Sequence, residues 1–186
     1  QTPFGTLVGA NITPDRETGI GNWRYEDFRR AMTEGIGHGG KRLYGAMPFT
    51  AYIKMSDKDL QDLWAWMQTL QPIHNPVETN QLPFPFNIRT SLMVWNWINF
   101  DQGAFQPDAR QSAQWNRGAY LVQGAGHCGT CHTPKNLLGG DKNGAFLRGE
   151  VVEGWMAPDI TANPHSGLGK WSQQDIVSYL RTGLNR

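Results

Sequence analysis

Cys128-Gly129-Thr130-Cys131-His132 concentrates the chemistry of this 186-residue sequence. Two thiols three residues apart share one turn of helix, and each can add to one vinyl group of a haem. The next residue presents a neutral imidazole to iron, which takes histidine as an axial ligand. The spacing therefore reads as the attachment site of a c-type haem. Both cysteines of the chain lie here, so none is left for a structural disulfide. Two weaker readings compete. A zinc site needs about four ligands, and His38, His74, His127 and His165 offer no second ligand pair at a suitable spacing. A redox dithiol also uses C-x-x-C, but beside a βαβ pattern that the sequence does not display.

Such a motif must be carried by helices and loops, and a repeat shows how they are arranged. Residues 8–35 (VGANITPDRETGIGNWRYEDFRRAMTEG) align without a gap with residues 156–183 (MAPDITANPHSGLGKWSQQDIVSYLRTG). Ile12 matches Ile160, Gly19 Gly167, Gly21 Gly169, Trp23 Trp171, Asp27 Asp175 and Gly35 Gly183, each pair 148 positions apart. This is duplication of a domain. The same offset places the first copy's cysteine motif before residue 1, and the second copy's equivalent of Met47 after residue 186. The first unit is expected to lack its beginning and the second its end.

Helix signals flank these pieces. The spacing predicts a helix over 24–34 that stops at Gly35. A matching helix over 173–182 starts after Ser172, with Asp175 completing a capping box. Ser56, with Asp59 three residues on, caps a helix over 57–70, whose Leu60, Leu63, Trp64, Met67 and Leu70 share one face. Pro72 follows it. Residues 72–111 read as a linker, with an apolar centre at 88–100 that can form a short helix. No period-two strand pattern stands out.

The motifs resemble those of a known family. Trp115–Val122 followed by GHCGTCHTPKN resembles the opening of a class I cytochrome c domain. Gly45-Ala46-Met47-Pro48-Phe49 and the helix after it resemble the end of one. More narrowly, NITPDRETGIGNW, RLYGAMPFTAY, QSAQWNRGAYLVQGAGHCGTCHTPKN and EGWMAPDIT resemble the three-haem cytochrome c subunits of bacterial membrane-bound dehydrogenases. These serve quinoprotein alcohol, flavoprotein gluconate, sorbitol or fructose, and molybdenum aldehyde dehydrogenases.

The resemblance implies an all-α fold of tandem class I cytochrome c-like domains, both incomplete in this chain. Residues 1–71 would be the C-terminal part of domain one, 72–111 a proline-rich interdomain linker, and 112–186 the N-terminal and middle part of domain two. It implies covalent haem c: at least one group, two associated with this segment and three in a full-length chain. It implies a partner, the catalytic dehydrogenase subunit of PQQ, flavin or molybdenum type. Electrons would pass to ubiquinone on the periplasmic side of the bacterial inner membrane, with membrane association through parts outside this chain.

The resemblance also assigns residues. Cys128 and Cys131 would hold the haem and His132 its iron. Met47 sits in the loop where this family places its thioether ligand. Packing accounts for Met32, Met55 and Met67, while a loop methionine in the core is the plain alternative for Met47. His38 is the rival ligand. The Pro158 carbonyl would accept the second ring nitrogen of His132; Ala10 stands at that place in the first unit. Trp23 and Trp171 would line a haem edge, bond a propionate or pack in a core. Duplication assigns Met47 to a first haem, whereas a permuted pairing of the two halves would put Met47 and His132 on one iron.

Composition agrees with a carrier. A formal net charge of +1 sets up no basic field for nucleic acid. Eight tryptophans suit aromatic cofactor walls. The apolar run 92–100 is far too short for a bilayer span of about 20 residues. Haems with two protein ligands transfer single electrons without an open site for substrate. A dihaem peroxidase-like enzyme is the alternative, because the sixth ligand of the haem at Cys128 and Cys131 is not visible in the sequence.

Overall fold

The computed structural model describes residues 5–78, 81–142, 144–152 and 154–184. Residues at the outer ends of the expected domains (1–4 and 185–186) and at 79–80 of the expected linker lie outside the described set. The chain is mostly helical, as expected, with one correction. A two-stranded antiparallel hairpin, β1 (Glu150–Val152) and β2 (Trp155–Ala157), interrupts the second half. Each strand is three residues long, below the four to eight needed to display a period-two pattern. The chain divides into two compact units, residues 1–127 and 128–186.

The first unit holds α1 (Tyr25–Glu34), a 3₁₀ turn (His38–Gly40), α2 (Phe49–Tyr52), α3 (Asp57–Met67), α4 (Ser91–Asn99) and α5 (Ala113–Gln123). Its core gathers Ile20, Phe28, Met32, Met55, Leu60 and Met67, with Trp23, Met47, Leu63 and Trp64 packed against them. Leu60 is 2% exposed, so truncating it to alanine would cost about 2–5 kcal/mol. Helix α1 stops at Gly35, whose φ is +65°. A Cβ there would also lie 2.7 Å from the ring of Phe49, itself fully buried. Glycine is required on both counts.

Helix α3 is shorter than expected: it ends at Met67, and Thr69 and Leu70 bond back to Trp66 and Met67 in a closing turn. The proline-rich stretch is clamped onto this unit. The Tyr44 hydroxyl donates to the Phe86 carbonyl at 3.0 Å, and the Arg89 guanidinium lies 4.7 Å above the Tyr44 ring. Helix α4 leaves Met93, Val94, Trp97 and Ile98 exposed.

The second unit holds α6 (Gly129–His132), the hairpin and α7 (Gln173–Thr182). Helix α7 carries the full capping box, with Asp175 N–H donating to Ser172 Oγ at 3.1 Å and Ser172 N–H to Asp175 Oδ2 at 3.0 Å.

The sequence repeat is a structural repeat, bond for bond. Ile20 N–H donates to the Thr13 carbonyl at 2.9 Å, and Leu168 N–H to Thr161 at 2.7 Å. Gly21 N–H reaches Asp15 O at 3.0 Å, and Gly169 N–H reaches Asn163 O at 3.1 Å. Trp23 and Trp171 close onto Ile20 and Leu168 at 3.0 and 2.9 Å. One pair exchanges roles: Asn11 Nδ2 donates to Thr18 Oγ1, whereas Ser166 Oγ donates to Asp159 Oδ2. The bond survives because an amide donor in one copy becomes a carboxylate acceptor in the other.

Candidate haem-attachment site

Cys128 to His132 form one helical turn. His132 N–H donates to the Cys128 carbonyl at 3.0 Å, and Thr133 N–H to Gly129 at 3.0 Å. Cys131 is exposed and Cys128 half-buried, and neither is in a disulfide. Gly129 gives the Phe146 ring room: a Cβ there would lie 2.6 Å from it, and the ring would have to move.

His132 is held at two points. Its ring Nδ1 lies 2.7 Å from the Pro158 carbonyl, and its own carbonyl accepts Gly149 N–H at 2.7 Å. The ring bond makes Nδ1 the protonated nitrogen, which leaves Nε2 with its lone pair free to ligate a metal. Thr133, 1% exposed, accepts Leu147 N–H on its hydroxyl at 3.1 Å. Glu150 Oε2 accepts Lys135 N–H at 2.6 Å, and its Oε1 accepts Val151 N–H at 2.7 Å. These two backbone donors, Lys135 first, hold the Glu150 carboxyl below the usual carboxylate range.

The donor set fits a c-type haem. Two accessible thiols lie on one turn, followed by an imidazole of fixed tautomer whose second nitrogen is uncommitted. Among the described residues there is no cluster of three or more His, Cys, Asp or Glu that could hold a metal ion by itself.

The other candidate residues lie apart from this turn in sequence. Trp171 packs edge-on against Tyr179, with centroids 5.7 Å apart. Trp23 and Met47 both pack against the first unit's core. Trp23 also stacks on His38, at 6.1 Å and 24° between planes. His38 Nδ1 lies 3.1 Å from Asp27 Oδ2. The Arg24 backbone N–H, more than the His38 ring, holds the Asp27 carboxyl below its ordinary range. His127 packs edge-on against Tyr52 in the first unit.

No family model matches the sequence. A nicotinate dehydrogenase component of Pseudomonas putida is 47% identical over all of this chain. The fructose dehydrogenase cytochrome subunit of Gluconobacter japonicus is 43% identical over 98% of it. Over 98–99% of its length the chain is similar to cytochrome c subunits of fructose, gluconate and alcohol dehydrogenases. A dihaem cytochrome c-type protein of Cereibacter sphaeroides is 38% identical over 98% of the chain. The chain spans 16%, 38% and 61% of the lengths of these three relatives.

Around the Cys128–His132 turn, the residues that the motif alone does not mark are Phe146, Gly149 and Glu150. Their only sequence signal is the glycine-rich loop around them. Their roles appear once the chain folds back from Arg148 to Asp159.

Proposed function

We propose that this chain is an electron-transferring segment of a multi-haem cytochrome c that serves a dehydrogenase. One observation carries the reading: the Cys128–His132 turn presents two thiols and an imidazole whose Nδ1 is already tied to the Pro158 carbonyl. A haem bound there supplies a one-electron couple. The protein's part is to hold it by Cys128 and Cys131, to aim His132 Nε2 at the iron, and to keep that imidazole electron-rich through Pro158.

The finer parts of the reading rest on the repeat and on the relatives. Met47 is the sixth ligand of a first haem, a half-buried thioether that packs, as Trp23 does, against the first unit's core. Trp171 borders the haem of the second unit. The segment bears on two haems, and its tandem organisation is that of cytochrome c domains 1–71 and 112–186 joined by 72–111. The electron donor is the catalytic subunit of the dehydrogenase, of PQQ, flavin or molybdenum type. The acceptor is ubiquinone, at the periplasmic face of the inner membrane. Among the described residues no helix is long and apolar enough to cross a membrane; attachment would come from elsewhere in the complex.

The test is made on the protein purified with its native partners. The peptide spanning residues 128–132 should carry the mass of haem through two thioether bonds. The haems should be reduced by the dehydrogenase substrate and reoxidised by a ubiquinone analogue. Free thiols at Cys128 and Cys131 would overturn the attachment. Rapid carbon monoxide binding to the reduced haem of the second unit would favour the peroxidase-like alternative instead.

A further inference from the structure

One hairpin grips His132 from both sides. Gly149, just before β1, donates its N–H to the His132 carbonyl at 2.7 Å. Pro158, just after β2, takes the His132 ring nitrogen on its carbonyl at 2.7 Å. The two strands pair Glu150 with Ala157, so the two grips are linked through a single cross-strand pair. Gly149 has a φ of +91°, and a Cβ there would lie 3.0 Å from both the Ala157 carbonyl and the Asp159 nitrogen. Any other residue there would be strained at this φ and would push the facing backbone back by a few tenths of an ångström. At the hairpin base, Ile160 N–H bonds to the Leu147 carbonyl at 3.0 Å.

Besides the His132–Pro158 bond, the Glu150 side chain fastens the hairpin to the segment that leaves the Cys128–His132 turn. Glu150 reaches across to the Lys135 N–H, three residues past His132, and its other oxygen holds Val151 N–H of its own strand. A carboxylate that takes two backbone donors fixes strand β1 against the segment leaving the axial histidine. It also fixes where Pro158 lies, because β1 carries β2.

We propose that Glu150 is a positioning residue for the axial imidazole: by anchoring the hairpin, it sets the His132–Pro158 hydrogen bond and with it the potential of the haem. The inference rests on the functional reading above. A strong bond from Nδ1–H to a carbonyl makes the imidazole a better donor to iron and favours the oxidised state. Loosening it favours the reduced state and raises the potential.

The experiment separates position from charge. E150D keeps the charge but is one methylene too short to span Lys135 and Val151. E150Q keeps the length and can still hold Lys135 N–H on its one acceptor oxygen, but it loses the charge and turns an NH2 donor towards Val151 N–H. Both are made in the full-length, haem-loaded protein, and the midpoint of the haem on Cys128 and Cys131 is measured. Outer-shell partners of metal ligands are worth about 10–100-fold. A residue one step further out should shift the one-electron equilibrium of E150D about tenfold, ~59 mV upward. E150Q should move less than E150D. In the same samples, solvent exchange of the His132 Nδ1 proton, read by NMR, should quicken in E150D and not in E150Q. An E150Q shift equal to or larger than that of E150D, or no shift in either, overturns the proposal. If peptide mass shows no haem on Cys128 and Cys131, the functional reading itself fails, which is a separate result.

Discussion

The Tyr120 hydroxyl accepts the Ser56 backbone N–H at 2.9 Å and donates in turn to the Asp59 carboxylate. Ser56 Oγ caps α3 through Asp59 N–H at 3.1 Å, but Asp59 does not return the bond. Tyrosine from α5 stands in the gap, and the capping box becomes a three-residue relay. Tyr120 is buried, with Phe105 against its ring edge. Replacing it by phenylalanine keeps that packing and strands the Ser56 N–H. Y120F is expected to cost about 1–2 kcal/mol. The denaturant midpoint of the haem-loaded protein measures it; an unchanged midpoint would mean that water takes the place of the hydroxyl.

The relay marks the boundary of what can be read from the chain. Ser56 and Asp59 announce a helix start, because capping is a local code of spacing and side-chain type. That the second half of the box is supplied by Tyr120, more than sixty residues later, is tertiary and leaves no local trace. The repeat was legible, since glycines and tryptophans at a fixed offset mark a shared backbone path. The hairpin was not, because three-residue strands carry no period. The helical turn over Cys128–His132 was legible from the spacing of its two thiols and the histidine after them. The bond of Glu150 to Lys135 N–H depends on a fold-back that no spacing encodes.

The repeat makes a paired prediction. A Cβ on Gly19 would lie 2.2 Å from the Thr13 carbonyl oxygen, and one on Gly167 2.4 Å from that of Thr161. Each contact is with backbone, so no side chain can yield. G19A should open the turn at Ile20 and leave the turn at Leu168 intact; G167A should do the reverse. Overpacking of this kind costs about 1–3 kcal/mol. Amide exchange at Ile20 and Leu168 reads each turn separately. Equal protection in variant and parent would show that the close approach can relax.

Tyr25 gives the alkaline limb. Its hydroxyl donates to Asp57 Oδ1 at 2.6 Å. Burial first, and then the Asp57 carboxylate, push its pKa up to about 12 from 10.0. The fold therefore favours the neutral phenol. This contribution is fully present below pH 10, and it is lost as pH rises from 10 towards 12. Absorbance titration should show late tyrosinate formation, to which Tyr52, raised by its own burial, also contributes, and Y25F should remove one tyrosine's share of it. The stability difference between parent and Y25F should shrink across the same range. A difference that stays constant with pH would remove Tyr25 from the balance.

Met47 tests ligation against packing. Its side chain lies half-buried beside the core that contains Ile20, Phe28 and Met32. A core position and an axial position both accept an unbranched apolar chain, so burial alone does not separate them. Leucine does. M47L nearly conserves volume and should cost under about 1.5 kcal/mol if packing is all that Met47 supplies. It also removes the only atom that can bond iron. Since a methionine ligand raises a haem potential, M47L in the full-length protein should lower the potential of one haem and open that haem to carbon monoxide, with the haem on Cys128 and Cys131 unchanged if duplication is the right reading. A drop at that second haem instead would put Met47 and His132 on one iron. With no change at either haem, the thioether is a core residue, and H38Q becomes the variant to examine, because His38 holds its Nδ1 on Asp27 and keeps its other ring nitrogen free for a metal.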